Sequence, residues 1–325
     1  MVLPDCPMLN RLKLSFLPAE KFTFMYILIT LILVLFFKSD MHSVARFLEF
    51  RILVIVGICF FAFIDSFKRI WTFRFLRYVY LAVLLSYWYP ETFEINKTLP
   101  NLDFLMADFE QYIFHCQPAL LFVQYFPQHW FSEIMNMGYL AYYPLMVIAG
   151  FYFYFEDSTY FKFYFSSIIF SFYLYYLIYS VFPTVGPQYY YIANGMEDVG
   201  KGIFHHVGNY FLTNHTLIPY SDKGGFFMNL VQTTQMAGEM PTAAFPSSHV
   251  GISTLIMIHF FIKRYFKVLA FISPVYLVLL ASTVYIRAHY LIDVFAGLLT
   301  AFLFYYLSVR VYIKINTSSL KKIVS

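Results

Sequence analysis

Long apolar runs separated by short basic clusters dominate the chain. A helix needs about 20 apolar residues to cross the hydrocarbon core of a bilayer. Runs of that length fall near residues 20–37, 44–64, 73–90, 131–155, 161–182, 247–264, 267–286 and 290–313, which predicts an all-α polytopic membrane protein with about eight spans. The stretch from Ile113 to Phe126 is shorter and is interrupted by His115, Gln117 and Pro118, so it is expected to be interfacial or re-entrant. No small-residue cleavage site follows the first run, which is therefore expected to remain as a helix.

Basic residues in short loops resist translocation and so fix the orientation. They gather as Arg11, Lys13 and Lys21, as Lys68, Arg69, Arg74 and Arg77, as Lys263, Arg264 and Lys267, and as Arg310, Lys314, Lys321 and Lys322. An even number of spans puts all four clusters on one side, expected to be cytoplasmic, with both termini there. The opposite side, periplasmic or lumenal, then receives the segments from Glu91 to Trp130 and from Pro183 to Phe245, and the turn that carries Arg287 and His289. Loops beyond about 12–15 residues are usually functional or disordered. The long second segment, a mixture of Gly, His, Lys and apolar residues, is expected to be a lid or a substrate platform.

Composition agrees with a bilayer protein, since 60% of the 325 residues are hydrophobic and 12% are charged. The 23% aromatic content suits helix ends at the headgroup level, and Tyr189, Tyr190 and Tyr191 read as part of such a belt. A net charge of +4, spread over clusters beside apolar runs, argues against a nucleic-acid partner. Cys6, Cys59 and Cys116 show neither metal spacing nor a disulfide framework.

Two strings carry chemistry. Phe245, Pro246, Ser247, Ser248, His249, Val250 and Gly251 stand directly before an apolar run, so a helix is expected to start there. Its first-turn amides, a serine hydroxyl and an adjacent imidazole can converge on a phosphate. The second string runs from Ser282 to Asp293 and contains His289 and Asp293, four residues apart. On a helix that spacing brings carboxylate and imidazole onto one face, the arrangement that orients a nucleophilic histidine. An ionisable residue beside an apolar helix is itself a functional candidate.

These strings resemble the type 2 phosphatidic acid phosphatase superfamily. Pro246, Ser247, Ser248 and His249 look like its P-S-G-H motif with Ser248 in the glycine place, and His289 with Asp293 looks like the H-x-x-x-D end of its third motif. The resemblance implies a six-helix core over residues 73–325, with residues 1–72 adding a tail and two spans. It further implies metal- and cofactor-independent phosphoryl transfer through a phosphohistidine on His289, with His249 protonating the leaving group and Asp293 orienting the nucleophile. Membrane lipids would be the partners.

The chain departs from the pattern as well. The K-x-x-x-x-x-x-R-P motif is absent, and Phe182 to Tyr190 stands in its place without a basic residue. Thr283 occupies the place of the third-motif arginine, and Arg287 lies two residues before His289. The phosphate cage is therefore expected to draw on Arg287, Ser247, Ser248, helix amides, Gln188 as a neutral donor, and a loop lysine such as Lys201 or Lys223. The Gly-Pro-x-Tyr-Tyr segment, the long loop, the H-Y-x-x-D string and two extra spans look more like the inositol phosphorylceramide synthase branch, in which a lipid alcohol such as ceramide takes the phosphoryl group from a phospholipid donor. Water or an alcohol as acceptor stays open. A lipid phosphate phosphatase and a non-catalytic lipid transporter are the alternatives. Glu239 reads as a surface carboxylate, and His205 and His206 as solvated histidines.

Overall fold

The structure, a computed structural model, describes residues 14–37, 44–68, 70–97, 99–219 and 224–316. Cys6, Arg11, Lys13, Arg69, Lys223, Lys321 and Lys322 lie outside them. The described residues are helical, without strands. Three helices open the chain: α1 (Pro18–Phe36), α2 (Val44–Lys68) and α3 (Trp71–Asn96). Next come the short α4 (Asp103–Phe114) and α5 (Pro118–Tyr125), then α6 (His129–Leu140), α7 (Tyr142–Glu156) and α8 (Ser158–Val181). The long loop carries α9 (Pro187–Asn194), α10 (Met196–Gly200) and α11 (Phe226–Gly238), and the chain closes with α12 (Ser248–Ile262), α13 (Phe266–Tyr285) and α14 (Leu291–Ile315).

A helix stands at each of the eight expected spans, but they are not equally suited to a bilayer. Five of them, α1, α2, α8, α13 and α14, are long and apolar enough to cross alone. Residues 131–155 form a pair, α6 and α7, bent by 42° at Ala141. α3 carries Arg74, Arg77, Glu91 and Glu94, which lower its apolar character, and α12 is only 15 residues long. The interrupted stretch from Ile113 to Phe126 holds the end of α4 and the whole of α5, parted by His115 in the left-handed region (φ 56°).

α8 is the axis of the bundle and packs against α1, α3, α7, α12 and α14. Much of the aromatic content is core here rather than a headgroup belt. The Tyr173 hydroxyl shares a hydrogen bond with Thr23 on α1, Tyr175 with Thr300 on α14, and Tyr176 donates to the Leu85 carbonyl on α3. Each ring fills apolar space while its hydroxyl finds a partner, which is how tyrosine is tolerated inside. Tyr189, Tyr190 and Tyr191 are likewise buried, at 3%, 0% and 0% exposure, in a cluster with Tyr290 and Phe211. They hold the long loop together and do not form an interfacial belt.

The chain ends pair as an up-and-down arrangement requires. Arg77 is no solvated loop charge; it is buried and bonds Glu20 on α1 at 2.8 and 2.5 Å and Asp65 on α2 at 2.6 Å. Lys263, after α12, reaches Asp157, between α7 and α8, at 3.1 Å, and Lys21 donates to the Ile315 carbonyl at the end of α14. These contacts collect at one end of the bundle. The connections after α3, α8 and α13 meet at the other.

Candidate active site

At that second end the segment after α8 acts as a spacer between α4 and the start of α12. Asp103, buried at the start of α4, accepts the amides of Val185 (2.7 Å) and Gly186 (2.8 Å) and the side-chain amide of Asn101 (2.7 Å). Next along, the Thr184 carbonyl accepts the Ala244 amide at 3.2 Å, and the Thr184 hydroxyl accepts that of Phe245 at 2.9 Å. Gly186 (φ 83°) sits so close to the 286–290 turn that a Cβ there would lie 2.4 Å from the Ala288 carbonyl oxygen. Only glycine combines that backbone angle with that approach.

His289 hangs from this scaffold. Its Nδ1 lies 2.8 Å from the Ala244 carbonyl oxygen, which can only accept, so Nδ1 carries the proton. Nε2 is left with its lone pair. Asp293 is not four positions away on the same helix, because α14 begins at Leu291 with Tyr290 as its N-cap. The carboxylate instead accepts the Tyr290 amide at 2.8 Å, and its Oδ2 stands 3.5 Å from His289 Nδ1. The pairing expected from the spacing is thus a longer electrostatic contact, and the shorter bond goes to a main-chain oxygen.

His249, in the first turn of α12, lies with its ring centroid 5.7 Å from that of His289. Tyr139 stacks on it at 4.7 Å and Tyr142 meets it at 4.4 Å. Neither of its ring nitrogens has a hydrogen-bond partner. Tyr179 of α8 fixes the junction: its hydroxyl donates to the Pro246 carbonyl (2.8 Å) and accepts the Ser248 amide (3.1 Å). Gly297 lets α14 approach α12 here, since a Cβ would come within 2.7 Å of the Ser247 carbonyl oxygen.

Both histidines line a cavity of about 460 Å³ together with Ser248, Ala244, Ala288, Glu239, Gln235 and Thr234. Its other wall is apolar and aromatic, built from Ala82, Leu85 and Tyr89 of α3, Met146 of α7, and Phe172 and Tyr176 of α8. A polar, histidine-bearing end thus joins an apolar compartment between helices, which suits a molecule with a polar head and an aliphatic body.

Several expected ligands are elsewhere. Ser247 is fully buried as the N-cap of α12; its hydroxyl faces the Val250 amide and its own amide donates to the Asp293 carbonyl. Gln188 donates its side-chain amide to Glu239 at 2.7 Å and accepts from Gln235 at 2.9 Å, so it is a strut beneath the cavity rather than a phosphate donor. Arg287 is half-buried in the turn but does not line the cavity. Lys201 pairs with Glu197 at 2.5 Å on the surface, and His205 with Asp198 at 3.2 Å. His206 accepts the Gly208 amide in an exposed loop.

Glu239 corrects the sequence reading in the other direction. It is half-buried and enters the cavity wall, and loss of hydration there raises its carboxyl above the ordinary value. Burial also lowers the His289 imidazole to about 4, against the pull of Ala244 and Glu239. The ring is therefore neutral at physiological pH. Sequence offered no signal for the Ala244 carbonyl, whose role is set by where the loop passes.

A helical membrane bundle with two histidines at the polar end of a partly apolar cavity has the features of a lipid phosphoryl-transfer protein. The chain belongs to the PAP2 superfamily, the type 2 phosphatidic acid phosphatases: the superfamily's sequence profile matches residues 106–307, which include the cavity wall except for the α3 residues. Members are phosphatases and phosphotransferases, and membership supports an enzyme of that general kind. No curated protein and no solved structure matches the chain.

Proposed function

We propose that the protein transfers a phosphoryl group from a lipid phosphate or phosphodiester through a phosphohistidine on His289, with a lipid alcohol such as ceramide as acceptor. The observation that carries this reading is the Nδ1 bond of His289 to Ala244, which leaves Nε2 as the available nucleophile, beside a second imidazole. In the first step the Nε2 lone pair forms the N–P bond as the P–O bond to the lipid leaving group breaks. The anionic phosphate of the bound substrate favours the protonated form of His249, and that proton passes to the departing oxygen. In the second step His249 takes the proton of the acceptor hydroxyl, whose oxygen attacks phosphorus and releases neutral His289. Asp293 supports the positive charge that His289 carries while phosphorylated. No step requires a metal.

The apolar compartment favours a lipid acceptor, since Leu85, Met146 and Phe172 can receive an aliphatic chain beside the polar end. In this reading the core begins near residue 73, α1 and α2 are additions, and the cavity opens on the periplasmic or lumenal side with both termini cytoplasmic. The test is product analysis in liposomes, with a labelled phospholipid donor offered with and without ceramide. Label arriving in ceramide supports the transferase. Release of free phosphate or free phosphorylated headgroup alone identifies a phosphatase or phosphodiesterase, and a rate unchanged by His289→Ala overturns the mechanism.

A further inference from the structure

Among the described residues, those that line the cavity include a carboxylate and no lysine or arginine. A net-negative headgroup, phosphoinositol or a phosphate monoester, would set its charge against Glu239 without a fixed cation among the lining residues. Gln188 and Gln235 beneath the carboxylate are neutral. Tyr89, Tyr143 and Tyr176 lie in the same wall, while Tyr139 and Tyr142 pack on His249. Aromatic faces together with a carboxylate are the surroundings that stabilise a substituted ammonium.

From these side chains we infer that the donor is a zwitterionic phospholipid whose headgroup ends in an ammonium, choline or ethanolamine, held by Glu239 and the tyrosine wall while its phosphate lies beside His289. This donor differs from the phosphoinositol lipid that the branch resemblance implies. The inference rests on the phosphoryl-transfer reading for the position of the phosphate. Such a headgroup brings its own cation for both the phosphate and Glu239, which accounts for a phosphate site that lacks the basic first motif.

The experiment is binding to full-length His289→Ala protein in detergent, which holds chemistry aside. The probes are short-chain phosphatidylcholine, phosphatidylethanolamine, phosphatidylinositol and phosphatidic acid. The two zwitterionic lipids are expected to bind about tenfold tighter than the two anionic ones. Adding Glu239→Gln, which keeps the acceptor for Gln188, should abolish that preference, and adding Glu239→Lys should reverse it. Size-exclusion profiles verify that each variant is folded. Equal or tighter binding of the anionic lipids, no binding of any lipid, or a preference that survives Glu239→Gln would overturn the inference. Turnover by the wild-type protein separates the two claims. Transfer from phosphatidylinositol alone sinks the ammonium donor and leaves phosphoryl transfer standing, whereas ammonium-selective binding without any product sinks the transfer reading alone.

Discussion

The imidazole of His289 is anchored at Nδ1 by the Ala244 carbonyl, 2.8 Å away, while the Asp293 carboxylate stands off at 3.5 Å. The tautomer that exposes Nε2 is therefore set by the main chain, with Asp293 adding charge. Asp293→Asn should consequently lower kcat by only about 10–100-fold, the range typical of an outer partner to a functional histidine. His289→Ala should remove turnover and the phosphoenzyme together. Rapid quench with mass spectrometry for an acid-labile phosphohistidine checks both, and an Asp293→Asn loss as large as that of His289→Ala would contradict the division of roles.

Burial lowers the His289 imidazole to about 4 from an ordinary 6.5, so the ring stays unprotonated well below neutrality. Carbethoxylation needs the neutral ring. Its rate at His289, followed by peptide mass, is expected to hold through pH 6.5 and to fall with a midpoint near 4. A midpoint near 6.5 would mean that the ring is solvated.

Gly186→Ala should misplace the His289 turn, because the new methyl meets the Ala288 carbonyl in a backbone region that alanine avoids. A cost of about 1–3 kcal/mol is expected for such strain. Thermal unfolding in detergent should show the loss, and kcat of the folded fraction should fall with it. An unchanged melting temperature would show that the turn yields freely.

Glu110 of α4 is buried and accepts the Ile292 amide at 3.1 Å; burial, with Asp293 nearby, lifts its carboxyl to about 8. The folded state thus keeps a proton that the unfolded chain gives up near 4.5. Stability from this group is complete below 4.5 and declines as pH rises towards 8. His289 works in the opposite sense: buried neutral, it contributes stability above 6.5 that is lost as pH falls towards 4. The window from pH 6.5 to 8 therefore isolates Glu110 from His289. The melting temperature should drop across that window in the wild type and drop less steeply in Glu110→Gln.

Arg77 lies at the end of the bundle remote from the cavity, where it serves Glu20 and Asp65. Arg77→Met leaves buried Glu20 without its cation and Asp65 with only the longer contact to Arg74, at 3.6 Å. A loss of about 3–5 kcal/mol is expected for such a broken network. Activity per folded molecule should be retained, since no cavity residue is touched. A specific activity that falls in parallel with stability would instead couple the two ends.

The apolar runs announced the helices because bilayer length and hydropathy are local properties of the chain, and helices stand at all eight positions. His249 and His289 were legible for a related reason, as each falls in a short string at the edge of a run. For Ser247 and Gln188 the sequence shows a donor without showing where it is already engaged, here in a helix cap and against a glutamate. Glu239 and Ala244 stayed hidden because their positions depend on a long loop folding back, and no spacing reports that. The acidic partners of Arg77 come from two other helices, so its ion pairs could not be read from its own stretch of sequence.

Tyr179 donates to Pro246 and accepts from Ser248 from within α8, a helix on which neither cavity histidine resides. The place of His249 is thus written into a neighbour laid down some seventy residues earlier in the chain. During synthesis the C-terminal helices can emerge with both imidazoles intact and still lack a working geometry. The cavity is lined from both helices and is therefore complete only when α12 has closed on α8.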